Sequence, residues 1–321
     1  MRVRLCYLDV LKGILIILVV LGHAIQATFP NYLHNFLFRF IYSFHMPLFF
    51  VISGFLTYRG MQGHDDKLMK RAVQLLIPFV CWAFISPLLT YGSFNMDKTV
   101  KALLYPDNGL WFLYNLFFYN AIFFLSERWA ERGMKQEYIF AGFFMVLYLL
   151  MAIFHTMFNI TQICWYMPFF AIGYYGRKYA CAVKKKKHVT LVCGVIYCML
   201  MPFWMMREDP LFYCWINLGS VFSYLYRCLV EVVGAIFFFL LGRKFLNWPL
   251  LGIAKLGTRT LGVYALQFII LYHLEKVFTS MENEYLKIIV ETILTVLLCF
   301  IVTEFIHKLK YVRLFLIGEK L

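Results

Sequence analysis

The sequence predicts an all-α protein, a polytopic bundle of about ten transmembrane helices with both termini in the cytoplasm. Of its 321 residues, 62% are hydrophobic, 20% are aromatic and only 15% are charged. A soluble domain of this length needs a far more polar surface, so the surplus of apolar side chains must face lipid. The apolar runs lack the two-residue alternation of membrane strands, which favours helices over a β-barrel.

Ten segments are long and apolar enough to cross a hydrocarbon core about 30 Å thick, which takes roughly 20 helical residues. These segments fall near residues 8–28, 36–58, 72–91, 109–126, 138–157, 160–177, 189–206, 216–241, 259–278 and 286–307. No long polar linker, low-complexity tract or internal repeat interrupts them. We therefore expect one domain that spans residues 1–321.

The basic residues orient this bundle, because cytoplasmic segments of membrane proteins collect Lys and Arg. With the N-terminus inside, 23 of the 31 basic residues fall in inner segments, including the run "KKKK" at 184–187, and only five fall in outer segments. The same bias accounts for the net charge of +14. A nucleic-acid partner is therefore not expected.

The first helix, "YLDVLKGILIILVVLGHA", carries three ionisable residues, Asp9, Lys12 and His23. Lys12 and His23 are eleven residues apart, about three helical turns, so they project from nearly the same face at depths that differ by about 16 Å. Asp9 lies one turn before Lys12, where pairing reduces the cost of a charge in the membrane. One face of this helix thus carries a cation near its cytoplasmic end and an imidazole near its outer end.

The second helix carries His45 in the stretch "FHMPLFFVISGF". Helix geometry places His45 about 13 Å and His23 about 7 Å below the outer surface, so the two imidazoles can meet in one cavity. A single intramembrane histidine is often only hydrogen-bonded to a neighbouring helix, whereas two at similar depth favour a function. Imidazole can take a proton from a hydroxyl and return it. No zinc motif is present, so no metal is expected.

Two stretches, "LDVLKGILIILVVLGH" and "FHMPLFFVISGFL", resemble the first two helices of the membrane-bound acyltransferase family 3. These are integral O-acyltransferases that modify sugars of bacterial envelope polysaccharides. Four further stretches are similar to later parts of the family and extend the resemblance over most of the chain: "KRAVQLLIPFVCW", "LWFLYNLF", "FFAIGYYGRK" and "LGTRTLGVYALQ". This chain has Lys12 where the family usually has arginine, which keeps the charge but loses the bidentate fork. It has Gln267 where a histidine is frequent.

The resemblance implies acyl transfer from a cytoplasmic thioester, usually acetyl-CoA, to a sugar hydroxyl, in the inner membrane of a bacterium. Acetyl-CoA is then a co-substrate, and no tightly bound cofactor is expected. His23 matches the histidine of the family motif and would act as general base. Lys12 would lie at the cytoplasmic end of a polar channel that leads through the membrane to His23, and His45 would support His23.

The resemblance also suggests contacts for the two substrates. Lys70 and Arg71 suit the phosphates of CoA, although the positive-inside bias alone would place them in the cytoplasm. Trp111 is a candidate for stacking on a sugar ring, although an aromatic residue is ordinary at the membrane interface. Gln267 can hydrogen-bond a sugar. Arg227 and Glu231 have the spacing of a helical ion pair at membrane depth, which fits a structural pair and an acceptor-binding pair equally well.

Two other functions stay open at the level of sequence. A transporter or flippase of lipid-linked sugars would also need many helices with a polar lining, but it often shows inverted repeats, and none is evident here. A non-catalytic membrane sensor would use its buried histidines to detect pH. Only an enzyme would need a thioester donor.

Overall fold

The computed structural model describes residues 5–61, 67–94, 96–106, 109–154, 157–180, 188–206, 218–246 and 250–319. Within these ranges the chain is helical and contains no strand, which confirms the all-α class. Its α-helices are α1 (Cys6–Thr28), α2 (Phe36–Tyr42), α3 (His45–Met61), α4 (Lys67–Tyr91), α5 (Met96–Leu104), α6 (Trp111–Ala130), α7 (Gln136–Phe154), α8 (Ile160–Lys178), α9 (Val189–Leu200), α10 (Leu218–Phe245), α11 (Leu251–Thr258), α12 (Thr260–Val277), α13 (Glu284–Lys308) and α14 (Lys310–Ile317).

Several of these helices have the length and composition of membrane spans. Five stretches qualify by both criteria: Cys6–Thr28, Phe36–Tyr58, Lys67–Tyr91, Val221–Phe245 and Glu284–Lys308. Two shorter helical stretches, Gln136–Met151 and Val189–Phe203, are also apolar. The chain is therefore a multi-pass membrane protein. The count of ten spans and the cytoplasmic placement of both termini stay predictions, and the run at 184–187 lies outside the described residues.

The predicted span 36–58 is not one continuous helix, because α2 ends at Tyr42 and α3 begins at His45. Pro47 explains the break, since it has no amide hydrogen to donate one turn back and its ring crowds the carbonyl there. At the break, the Nδ1 atom of His45 lies 2.7 Å from the carbonyl oxygen of Ile41. A carbonyl can only accept, so this nitrogen is the donor.

The chain divides into two compact units that interleave along the sequence. The first contains residues 1–52, 183–208 and 221–308, and the second contains residues 53–182, 209–220 and 309–321. Neither unit is a single contiguous stretch. The expectation of one domain over residues 1–321 stays a prediction.

In the first unit, α1 packs along α11, α12 and α13. The contact with α11 requires glycine, because a Cβ atom on Gly257 would lie 1.7 Å from the carbonyl oxygen of Asp9. Glu304 of α13 pairs with Lys255 of α11 at 2.8 Å and with Arg259, the residue between α11 and α12, at 2.6 Å. The backbone contact and the ion pairs together hold α11 against the turn of α1 that carries Lys12.

In the second unit, side-chain hydrogen bonds tie apolar helices together. Trp82 of α4 donates from Nε1 to the carbonyl oxygen of Leu316 in α14 at 2.9 Å. The buried Asn159 donates to Asn115 of α6 at 3.0 Å. An unpaired polar group within a bilayer is costly, so such bonds specify which helices pack together.

Candidate functional site

The predicted inner end of α1 carries the ion pair that its spacing suggested. The Nζ atom of Lys12 lies 2.9 Å from Oδ1 of Asp9, one helical turn away, and both side chains are largely buried. The backbone of α11 covers this turn through the close contact of Gly257 with Asp9. A cation is thus held at a fixed position inside an otherwise apolar helix.

His23 lies eleven residues further along the same continuous helix, about 16 Å from Lys12 along the axis. Its ring is half-buried, and the centroid lies 4.3 Å from that of Phe268 in α12. Its Nδ1 atom lies 3.4 Å from both Oε1 of Gln26 and the hydroxyl of Tyr42. The tautomer that donates from Nδ1 to Gln26 leaves Nε2 unprotonated, which is the form that a general base requires.

His45 lies close to this group but is held differently. Its ring is buried, and Nδ1 is engaged by the Ile41 carbonyl at the break between α2 and α3. Its centroid lies 4.6 Å from that of Tyr42, edge to face. The hydrogen bond fixes the ring in one orientation and in the tautomer that leaves Nε2 unprotonated. The supporting role of His45 stays a proposal.

Tyr42 is a candidate residue that the sequence analysis missed, and it contacts both imidazoles. It stacks on Phe38 at a centroid distance of 3.9 Å. A Cβ atom on Gly22 would lie 2.8 Å from the Tyr42 ring, so only glycine beside His23 leaves room for the aromatic side chain. That glycine was the available signal in the sequence, since it marks a close approach within an apolar helix.

Gln267 precedes Phe268 in α12 and is 1% exposed. Neither its amide nitrogen nor its amide oxygen has a hydrogen-bond partner among the residues that the structure describes. A buried amide without partners is costly, so such a group commonly binds a ligand or water. The expected contact of Gln267 with an acceptor stays a proposal.

Arg227 and Glu231 form the ion pair that their spacing predicts. The Nε atom of Arg227 lies 2.7 Å from Oε1 of Glu231, and the Glu231 side chain is 1% exposed. The guanidinium also lies over the indole ring of Trp204, 5.8 Å from the centroid. The pair is thus part of the interior of the first unit.

Removing one member of this pair is expected to destabilise the protein more than removing both. Arg227→Met breaks the ion pair with the buried Glu231 carboxylate and should lower the free energy of unfolding by roughly 3–5 kcal/mol, whereas replacing both residues by Met should lower it less. Thermal unfolding of the detergent-solubilised protein, followed by tryptophan fluorescence, measures both. Unchanged stability of Arg227→Met would contradict the prediction, and a stable but inactive double variant would assign the pair to the substrate.

The remaining predicted residues lie in the second unit. Lys70 is exposed near the start of α4, and Nη1 of Arg71 donates to Oε1 of Gln74 at 2.7 Å. Trp111 is half-buried at the first position of α6 and stacks on Tyr166, with centroids 5.3 Å apart. Among the nine predicted site residues, His23 and His45 both contact Tyr42. Gln267 is the chain neighbour of Phe268, which also contacts His23.

Comparison with known families decides the class of protein. A family model described as an acyltransferase domain, of the Acyl_transf_3 type, matches residues 6–304. The chain belongs to the membrane-bound acyltransferase family 3. The match contains the segments with Lys12 and His23, so the resemblance of the first two helices to this family is confirmed. This membrane acyltransferase has no significant match among solved structures.

Two curated proteins are also similar to this acyltransferase. Nodulation protein NolL of Sinorhizobium fredii is 33% identical over 177 residues, which cover 52% of this chain and 47% of the relative. Nodulation protein NolL of Mesorhizobium japonicum is 38% identical over 104 residues, which cover 30% of this chain and 28% of the relative. The matches thus span about half, or less, of these relatives.

Proposed function

We propose that this acyltransferase moves an acetyl group from acetyl-CoA to a sugar hydroxyl of a cell-envelope polysaccharide or of its lipid-linked precursor, in the inner membrane of a bacterium. The observation that carries the proposal is the placement of His23 and Lys12 on one continuous helix. A half-buried imidazole with an engaged Nδ1 atom lies three turns from a fixed cation. Acetyl-CoA is anionic and cytosolic, whereas envelope sugars are presented on the outer leaflet. In this proposal the cation Lys12 serves the donor at the inner end of the helix, and His23 serves the acceptor at the outer end.

The proposed reaction is direct transfer. Nε2 of His23 takes the proton of the sugar hydroxyl while its oxygen attacks the thioester carbonyl carbon. The new carbon–oxygen bond forms as the carbon–sulfur bond breaks, and CoA leaves as a thiolate that takes the proton from the imidazolium. The products are a sugar ester and CoA, and no covalent enzyme intermediate is needed.

The other residues have proposed binding roles. Lys12 keeps a positive charge at the inner end of the route, and Lys70 and Arg71 contact the phosphates of CoA. Trp111 stacks on a sugar ring and Gln267 hydrogen-bonds the acceptor. For Arg227 and Glu231, acceptor binding competes with a purely structural role, which the paired variants described above separate.

The proposed function is tested with purified full-length protein in lipid nanodiscs, acetyl-CoA labelled in its acetyl group, and a bacterial envelope glycan fraction. We expect label in the glycan as an alkali-labile ester, released CoA in equal amount, and neither with the His23→Gln variant. A separate assay uses the protein in lipid vesicles with a labelled lipid-linked sugar. Movement of that sugar across the vesicle membrane without ester formation would identify a transporter instead. Absence of both would contradict an acyltransferase that uses these two substrates.

A further inference from the structure

The inward face of α13 is unusually polar for a membrane helix. Glu291, Thr292 and Thr295 are 0%, 7% and 0% exposed. The opposite face is apolar and exposed, with side chains such as Ile289, Ile293, Leu297 and Ile301. Lipid contact accounts for the apolar face. The three polar residues therefore need an explanation inside the protein.

Their polar atoms have no hydrogen-bond partner among the described residues. This holds for both carboxylate oxygens of Glu291 and for the hydroxyls of Thr292 and Thr295. Thr303 lies on the same face, but its hydroxyl donates to the carbonyl oxygen of Cys299 at 2.7 Å. Such a bond to the preceding helical turn is the usual way in which a buried threonine hydroxyl is satisfied. Glu291 forms an ion pair with Lys287, one turn earlier, but the 3.8 Å between Nζ and Oε1 is too long for a hydrogen bond.

Helix packing places these atoms at the level of Gln267. The helices α12 and α13 are antiparallel, because a Cβ atom on Gly262 would meet Thr303 while Leu271 shares a buried cluster with Ile288. One turn from Leu271 lies Gln267, and one turn from Ile288 lies Glu291.

The same level contains His23. The Leu271 and Ile288 cluster includes Ala24 and Ile25, which directly follow His23 in α1. Phe268, the neighbour of Gln267, lies against the His23 ring. The polar atoms of α12 and α13 without hydrogen-bond partners therefore lie within the first unit, at about the level of His23.

We infer that Gln267, Glu291, Thr292 and Thr295 form a subsite that binds the hydroxyl groups of the sugar acceptor, an assignment that rests on the proposed function. A carboxylate accepts two hydroxyl hydrogen bonds, an amide donates and accepts, and threonine does both, which matches a neutral polyol. Glu291 disfavours an anion.

Accessibility to a hydrophilic reagent tests the subsite without any activity measurement. In the full chain with its native cysteines replaced, Thr295→Cys should react with a cationic, membrane-impermeant methanethiosulfonate reagent, since a sugar site must admit water and Glu291 does not repel a cation. Leu297→Cys is the matched control, because this side chain is 51% exposed on the lipid face and should not react. At least one of the methyl glycosides of glucose, galactose, rhamnose and N-acetylglucosamine should slow the Thr295→Cys reaction roughly tenfold, the occupancy effect of a bound ligand. An unreactive Thr295→Cys, or no protection by any glycoside, would overturn the inference.

Kinetics provide the second test, with the glycoside that protects best as the acceptor. Glu291→Gln should raise KM for that acceptor roughly 10- to 100-fold, because it loses charged hydrogen bonds to the ligand. Thr295→Val should raise the same KM severalfold, because it loses a neutral hydrogen bond. Neither should change KM for acetyl-CoA, and Thr303→Val, whose hydroxyl is already satisfied by its own helix, should change neither constant. A purely structural role would lower the amount of active protein without shifting KM, which would count against the subsite. If the wild type transfers no acetyl group, the proposed function fails while the accessibility test still decides the subsite.

Discussion

Replacement of His23 by glutamine is expected to lower the rate of acetyl transfer roughly 10²- to 10⁴-fold, the usual loss when a general base is removed. Glutamine preserves approximate size and hydrogen bonding at the contact with Tyr42 but cannot take a proton at neutral pH. Binding of a non-hydrolysable acetyl-CoA analogue should stay nearly unchanged, because the proposed base acts on the acceptor. Transfer of labelled acetyl groups and equilibrium binding of the analogue measure the two effects separately.

The pH dependence gives an independent check of the base. A base must be neutral, so the transfer rate should rise with pH through the titration of His23 and then level off. His45→Gln is the control, since we propose only a supporting role for His45. That variant should lose less activity and keep the shape of the pH profile. Wild-type turnover of His23→Gln would exclude His23 as the base and make His45 the better candidate.

Replacement of Lys12 by alanine is expected to abolish most of the activity, by roughly 10²-fold or about 3 kcal/mol. The change removes the proposed charge at the inner end of the route and breaks the ion pair with the Asp9 carboxylate, 2.9 Å away in the native chain. Lys12→Arg keeps the charge and should keep measurable activity. Initial rates at saturating acetyl-CoA, normalised to the amount of inserted protein, provide the comparison.

A double variant separates the two roles of Lys12. In Asp9→Asn combined with Lys12→Ala, both members of the ion pair are neutral, so insertion and thermal stability should be closer to native values than in Lys12→Ala alone. Activity should remain low if Lys12 acts on the donor or on the route through the membrane. Recovery of wild-type activity in the double variant would show that Lys12 serves only as the counter-ion of Asp9.

Local helix geometry was sufficient for several features of the site. The pairs Asp9–Lys12 and Arg227–Glu231 followed from spacings of three and four residues, because such side chains are neighbours on any α-helix. Membrane insertion followed from composition, since lipid-facing surface must be apolar. Pro47 favours a kink in the second span, and the structure shows the helix interrupted at Ser43 and Phe44, just before it.

The sequence by itself determined the helical class, the membrane character, the two ion pairs and, through the resemblance of the first two helices, the acyltransferase family. Only the tertiary structure decided that Tyr42 lies against His23, and that Glu291, Thr292 and Thr295 face inward at the level of Gln267. The physical reason is that such contacts join residues far apart in the chain. They depend on the rotation and pairing of helices, set by close approaches such as that of Gly257 to Asp9, and periodicity within one helix carries no information about them.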